Sequence, residues 1–163
     1  MIKNGNDFKK LTTLMKEMKV AMLTVKLQDG TLESRPMMLQ EVADGGELLF
    51  FVSIDSEKTQ NLIDQPQVNL TFASAEKAHY VSVTGEAKIV HDREKTKELW
   101  NPLNRAWFNE GIEDPHLAIL SVAPSSAEYW DAPYGKAVQF LGMAKAMLTG
   151  KQYQAGHGEH VRL

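Results

Sequence analysis

The sequence predicts a mainly β protein: an antiparallel barrel of six short strands with flanking helices. Three observations carry this. Six short segments read as strands, alternating with a period of two from Val20 and again over 80–90, and are joined mostly by hairpins. The helical segments are few and fall before, between or after the strands, not in a regular strand–helix alternation. The Gly-rich phosphate fingerprints of doubly wound nucleotide-binding folds are missing.

The chain opens with a helix. Asn6 or Asp7 can cap it, and Phe8, Leu11, Met15 and Met18 then recur at helical spacing. From Val20 the period changes to two, with Ala21, Leu23, Val25 and Leu27 on one side of a first strand. Asp29-Gly30 signals a tight hairpin turn with both central residues at positive φ. The second strand runs over about 31–42. It contains Pro36, which lacks a donor and therefore needs an edge or a bulge. Asp44-Gly45-Gly46 turns the chain into a third strand over 47–53, so continuously apolar that both of its faces must be covered.

Ser56 is a good N-cap for a helix that carries Leu62 and Ile63 and is stopped by Pro66. Strands follow over about 68–73 and 80–90, the latter interrupted by Gly85, which marks a bend. His91-Asp92 opens a short helix to about Trp100, and a loop-rich stretch, NPLNRAWFNEGIEDPHL, leads to the last strand. That strand covers 118–122 and continues over 126–130 beyond a kink at Pro124. A final helix is expected over about 134–148, with Ala137, Phe140, Leu141, Ala144 and Leu148 on one face. A loosely held polar tail is expected over 150–163. No linker or repeat divides the chain, so 1–163 reads as a single domain.

Composition narrows the function. A net charge of -3 gives no basic field for nucleic acid. The absence of cysteine removes disulfides, thiolate metal sites and a cysteine nucleophile. The N-terminal MIKNGNDFKKL has no signal-peptide core, and no apolar run reaches the ~20 residues of a membrane span, so a cytoplasmic protein is expected. His79, His91, His116, His157 and His160 stand in separate contexts, and the spacing of His157 and His160 in the tail does not make a metal site. No residue pattern identifies a catalytic acid, base or nucleophile.

The stretch 34–58 carries the chemistry. Arg35 in mid-strand would ordinarily lie on a solvated face, but a guanidinium also matches phosphate oxygens with two parallel donors. Ser56 and Lys58 sit where a helix opens, and a helix N-terminus offers free N–H groups to an anion. The hairpin residues Met37, Met38 and Leu39, facing Phe50, Phe51 and Val52, are ordinary core. They are also the kind of wall that a flat cofactor needs, with backbone amides to read its edge. Trp130 ends the last strand, where its ring could cover a ligand or meet another subunit.

In order, SRPMMLQ, LLFFVSIDSEK, PQVNLTF, YVSVTGEAKIV, ELWNPLNRAWF and AEYWD resemble the general stress protein 26 branch of the pyridoxamine 5'-phosphate oxidase-like family, over about 8–131. The resemblance implies a split barrel that binds FMN and works as a homodimer with a flavin at each subunit interface. It implies that Arg35, Ser56 and Lys58 hold the phosphate, and that Pro36, Met37, Met38, Leu39, Val52 and Ser53 line the isoalloxazine. It also implies that Tyr80 and Trp130 reach in from the partner subunit. Gln40 stands where the parent oxidases have Lys, Glu57 where they have Arg, and Tyr80 where they have Gln. Beyond Trp130, DAPYGKAVQF lacks the Arg and His that would hold a pyridoxine phosphate, which argues against vitamin B6 oxidation. The expectation is an FMN-dependent oxidoreductase acting on an unidentified small molecule. The alternatives are a flavin-binding stress or sensor protein without turnover, and a barrel for another flat cofactor such as haem or a deazaflavin.

Overall fold

The computed structural model describes residues 5–131 and 158–162, together with positions 145, 147 and 149. The helix expected over 134–148 falls almost wholly outside them, as does 150–157 of the tail with its His157. Among the described residues the strand order is β3-β2-β1-β4-β5-β6-β7, and β3 also pairs with β6. That extra pairing closes the six strands into an antiparallel barrel.

The first helix, α1 (Gly5–Met18), places Asn6 and Asp7 inside its first turn and not at the cap. Leu11, Leu14 and Met15 bury its apolar face against the barrel. β1 (Val20–Lys26) and β2 (Leu32–Val42) form the first hairpin. Its turn differs from the expected form. Gly30 alone has positive φ, at 88°, and its N–H bonds Leu27 O at 3.0 Å while Leu27 N bonds Thr31 O at 2.8 Å. This is a type I turn closed by a glycine bulge, which asks for left-handed backbone at one residue only. The turn between β2 and β3 (Leu48–Ser53) has the same pattern, with Gly46 bonding Ala43 O and Ala43 bonding Glu47 O.

β3 is buried on both faces, as its unbroken apolar run requires. Phe50 and Val52 point into the barrel with Leu23, Leu70, Phe72, Val81, Val83 and Leu120. Leu49 and Phe51 point outward into a second cluster with Phe108 and Ile119. There Phe51 meets Trp100 at 5.9 Å and Phe108 at 6.3 Å between ring centroids. This outer cluster seats the segment after α3 (Arg93–Leu99), including a 3₁₀ turn over Pro102–Ala106, against the barrel wall.

α2 (Glu57–Asp64) crosses to β4 (Gln67–Ser74) and β5 (His79–Val90). β6 is one strand, Leu117–Asp131, kinked where the register with β5 shifts at Thr84/Gly85 opposite Ser126 and Pro124. Any side chain at Gly85 would run into the Ala123 carbonyl, so the kink requires glycine. The first half of β6 pairs with β3. Its second half, left with an open edge, pairs with β7 (Gly158–Arg162) through Ser126–Trp130. The end of the tail is thus a strand, where a loose polar segment is expected from composition. An unpaired edge supplies hydrogen bonds to any extended backbone, whatever its side chains.

Candidate functional site

The barrel is split between β2 and β3. β2 pairs with β1 from Leu32 to Met38, but with β3 only from Leu39 onward. Beyond Phe50, β3 leaves β2 and continues on β6, with Val52 opposite Ala118 and Ser53 opposite Leu117. A cavity of about 320 Å³ opens in the gap. Arg35, Pro36, Met37 and Met38 line it from β2, Phe51, Val52 and Ser53 from β3, and Ser56 and Thr59 from the start of α2. Asn104, Trp107 and Phe108 close it from the 3₁₀ segment, and Gln40 and Val20 complete it.

The hydrogen-bond pattern leaves a backbone edge facing this gap. Leu39 N donates to Lys19 O at 2.7 Å, which makes odd-numbered residues of β2 the ones bonded to β1. Ser34, Pro36 and Met38 therefore turn their main-chain groups away from β1. Pro36 has no N–H to leave unpaired there, which explains how a proline sits in mid-strand. Met38 turns its N–H toward the gap. Leu39, by contrast, has given its N–H to Lys19 and buries its side chain in the core.

Arg35 lies opposite Leu23, on the inward face of β2 at the mouth of the split. It is half-buried, and its Nε and Nη2 are sealed from solvent with no hydrogen-bond partner among the described residues. Burial holds its pKa below the usual value, and the nearby Glu33 carboxylate partly offsets this. A guanidinium in that state is destabilised by lost hydration and is restored by an anion that accepts from it. Ser56 is the N-cap of α2, with extended backbone, and its hydroxyl makes no capping bond. It is therefore open to the same cavity, beside the free N–H groups of the first turn. Thr59 fixes this corner by donating to Ser53 O at 2.9 Å. Lys58 is the second residue of α2, but its side chain lies outside the described residues.

Tyr80 and Trp130 do not line this cavity. They are cross-strand neighbours on β5 and β6, on the outer face of the sheet. Tyr80 is 40% exposed. On the opposite face at that end of the barrel, His79 pairs with Asp131 at 3.0 Å.

Gln40, Thr59, Asn104, Trp107 and Phe108 line the cavity without having been singled out as ligand contacts in the sequence. For Asn104, Trp107 and Phe108 the signal was the WNPLNRAWF string, for Gln40 its place where the parent oxidases have Lys, and Thr59 had none. A larger groove, about 460 Å³, lies between α2 and the end of β5, lined by Ile54, Ile63, Ile89 and His91. None of the buried unpartnered polar atoms lies in it, so size alone does not make it the better site.

The description "pyridoxamine 5'-phosphate oxidase like" matches residues 6–154. Protein bli-3 of Neurospora crassa is 30% identical over 151 residues, covering 86% of this chain and 72% of that protein. A general stress FMN/FAD binding protein from Xanthomonas citri superposes with a TM-score of 0.66 at 29% identity, over 78% of this chain and 89% of that one. General stress protein 26 of Bacillus anthracis superposes with a TM-score of 0.68 over 76% of this chain and 93% of that one. At 22% identity it speaks to the fold alone.

Proposed function

The chain belongs to the pyridoxamine 5'-phosphate oxidase-like family, and on that premise we propose that it binds FMN and acts as a flavin-dependent oxidoreductase of the general stress protein type on a small molecule. The observation that carries this reading is the orphaned guanidinium of Arg35 in a cavity lined by β2, the end of β3 and the start of α2. An anion is needed at one end and a flat body along the rest. Flavin mononucleotide has both, and the similar Xanthomonas citri protein is described as FMN/FAD binding.

The residues present fit the group. Arg35, Ser56 and the first-turn N–H groups of α2 hold its phosphate, with Lys58 within the same turn. Met38 N–H and the Val52–Ser53 strand end face its ring, while Phe51 and Phe108 exclude water from the far wall. When bound, the flavin supplies hydride and electron transfer, and the protein supplies position and electrostatics.

We place the active form as a cytoplasmic homodimer, with Tyr80 and Trp130 of one subunit covering the cavity of the other. An outer-face row supports this. Val20 stands beside Met38 at the cavity, and across the sheet Tyr80 lies between Ala73 and Trp130. Val20 is 46% exposed and Tyr80 40%, apolar surface that a second subunit would cover.

One observation favours the alternative of a flavin-binding stress or sensor protein without turnover. Among the described residues, no side chain lining the cavity is a carboxylate, imidazole or other group able to move a proton for a substrate. The deciding experiment is to purify the protein, titrate it with FMN and follow flavin absorbance. A protein that takes up no FMN refutes the main reading. A bound flavin that neither NADH nor NADPH reduces favours the sensor.

A further inference from the structure

The end of the cavity away from Arg35 is built on a strand irregularity. β2 and β3 pair Leu39 with Phe50 and Glu41 with Leu49, leaving Gln40 without a partner. A bulge of this kind re-aims the side chain it carries, and Gln40 lines the cavity. Its Nε2 donates to Met38 O at 3.0 Å, and its Oε1 accepts from Asn104 Nδ2 at 3.3 Å.

The polarity of this chain of bonds is forced. A main-chain carbonyl only accepts, so the amino group of Gln40 must face Met38 and its oxygen must face Asn104. Asn104 is then obliged to present its own amino group. It is only 3% exposed. Its main-chain oxygen accepts from Trp107 N at 3.0 Å and from Phe108 N at 3.1 Å, which anchors it in the 3₁₀ segment. Gln40 keeps one amino hydrogen and one oxygen lone pair, a donor beside an acceptor. Among the described residues Arg35 is the only charged one that lines the cavity, and it lies at the other end.

We infer that the Gln40–Asn104 pair of carboxamides reads an uncharged imide edge, an N–H flanked by carbonyl oxygens, on the planar ring that occupies the cavity. Gln40 touches the ring edge, and Asn104 is a positioning residue that fixes which way Gln40 points. This rests on the flavin reading, because the isoalloxazine carries such an edge.

The test uses the full chain and three ligands: FMN, riboflavin, and riboflavin methylated at the imide nitrogen. The wild-type protein binds riboflavin about fivefold to tenfold more tightly than the methylated form, the value of one well-made hydrogen bond. In Gln40→Met that preference falls below about twofold on the same reckoning. A simple clash between the methyl group and some other wall would leave the preference intact in Gln40→Met, and would overturn the inference. In Asn104→Asp the carboxylate only accepts, so Gln40 must turn over and release Met38. The preference is lost there too, while the ratio of FMN to riboflavin affinity is unchanged. Equal binding of both riboflavins to the wild type overturns the inference even if neither variant folds. Failure of all three ligands to bind instead overturns the flavin reading beneath it.

Discussion

Replacing Arg35 with Met separates two effects that pull in opposite directions. Met keeps the apolar stem but removes a guanidinium whose Nε and Nη2 are buried without partners. Each charge-assisted bond to a phosphate is worth roughly 1.5–3 kcal/mol. Loss of one such contact therefore weakens FMN about 10- to 150-fold. The free protein moves the other way, because an unsatisfied buried donor costs about 1–3 kcal/mol. Recovering even 1 kcal/mol of this raises Tm by about 2–4 °C in a chain of this size. Affinity is read by titrating flavin fluorescence with FMN and, in parallel, with riboflavin, which has no phosphate. Riboflavin affinity should change less than about twofold if the phosphate bond alone is lost. Unchanged FMN affinity would refute the phosphate assignment. So would a riboflavin affinity that falls as far as that of FMN, since Arg35 would then be acting on the ring or the fold.

The shared site is tested by mixing subunits. Tyr80→Glu and Arg35→Met should each bind FMN weakly alone, and an equal mixture allowed to exchange should recover about one strong site per four chains, because about half of the dimers are then heterodimers and each of these has one cavity with both parts intact. A monomer at all concentrations with flavin fully bound would exclude the arrangement. Gly85→Ala should destabilise by about 1–3 kcal/mol in urea unfolding, since the new methyl meets the Ala123 carbonyl at the β6 kink. The pKa of Asp29 is lowered, first by the Thr31 backbone N–H, with Asp29 Oδ1 accepting at 2.9 Å. A depressed carboxyl stabilises the fold above its unfolded value near ~3.9, and this is lost as pH falls through the lower folded value. Carboxyl NMR should show that lowered titration, and the pH dependence of stability in this acid range should diminish in Asp29→Asn.

The parts of the fold legible in the sequence are those governed by neighbours along the chain. Alternation marks β1 and β5 because successive side chains of a strand face opposite ways. Gly30 and Gly46 mark turns because left-handed backbone suits residues without a Cβ. The unbroken apolar run of β3 reveals two covered faces, though not what covers them. For the site, seven of the residues singled out in the sequence gather in one cavity: Arg35, Pro36, Met37, Met38, Val52, Ser53 and Ser56. Leu39 goes to the core, and Tyr80 and Trp130 stand together on the outer face.

Tertiary structure alone decided the rest, because it depends on partners distant in the chain. Whether Arg35 is solvated or stranded turns on where β3 leaves β2, and nothing in the stretch around Arg35 encodes that departure. Gln40 and Asn104 lie 64 residues apart, and the sequence marks Gln40 only as a departure from a Lys and Asn104 not at all. They acquire a fixed polarity only when a bulge, a 3₁₀ turn and the Met38 carbonyl meet. Residues 158–162 became a strand because the kink of β6 left an edge open, not because their own sequence asks for one. Period and turn chemistry are local and can be read residue by residue, whereas an unpaired charge or an oriented amide is a property of the packed chain.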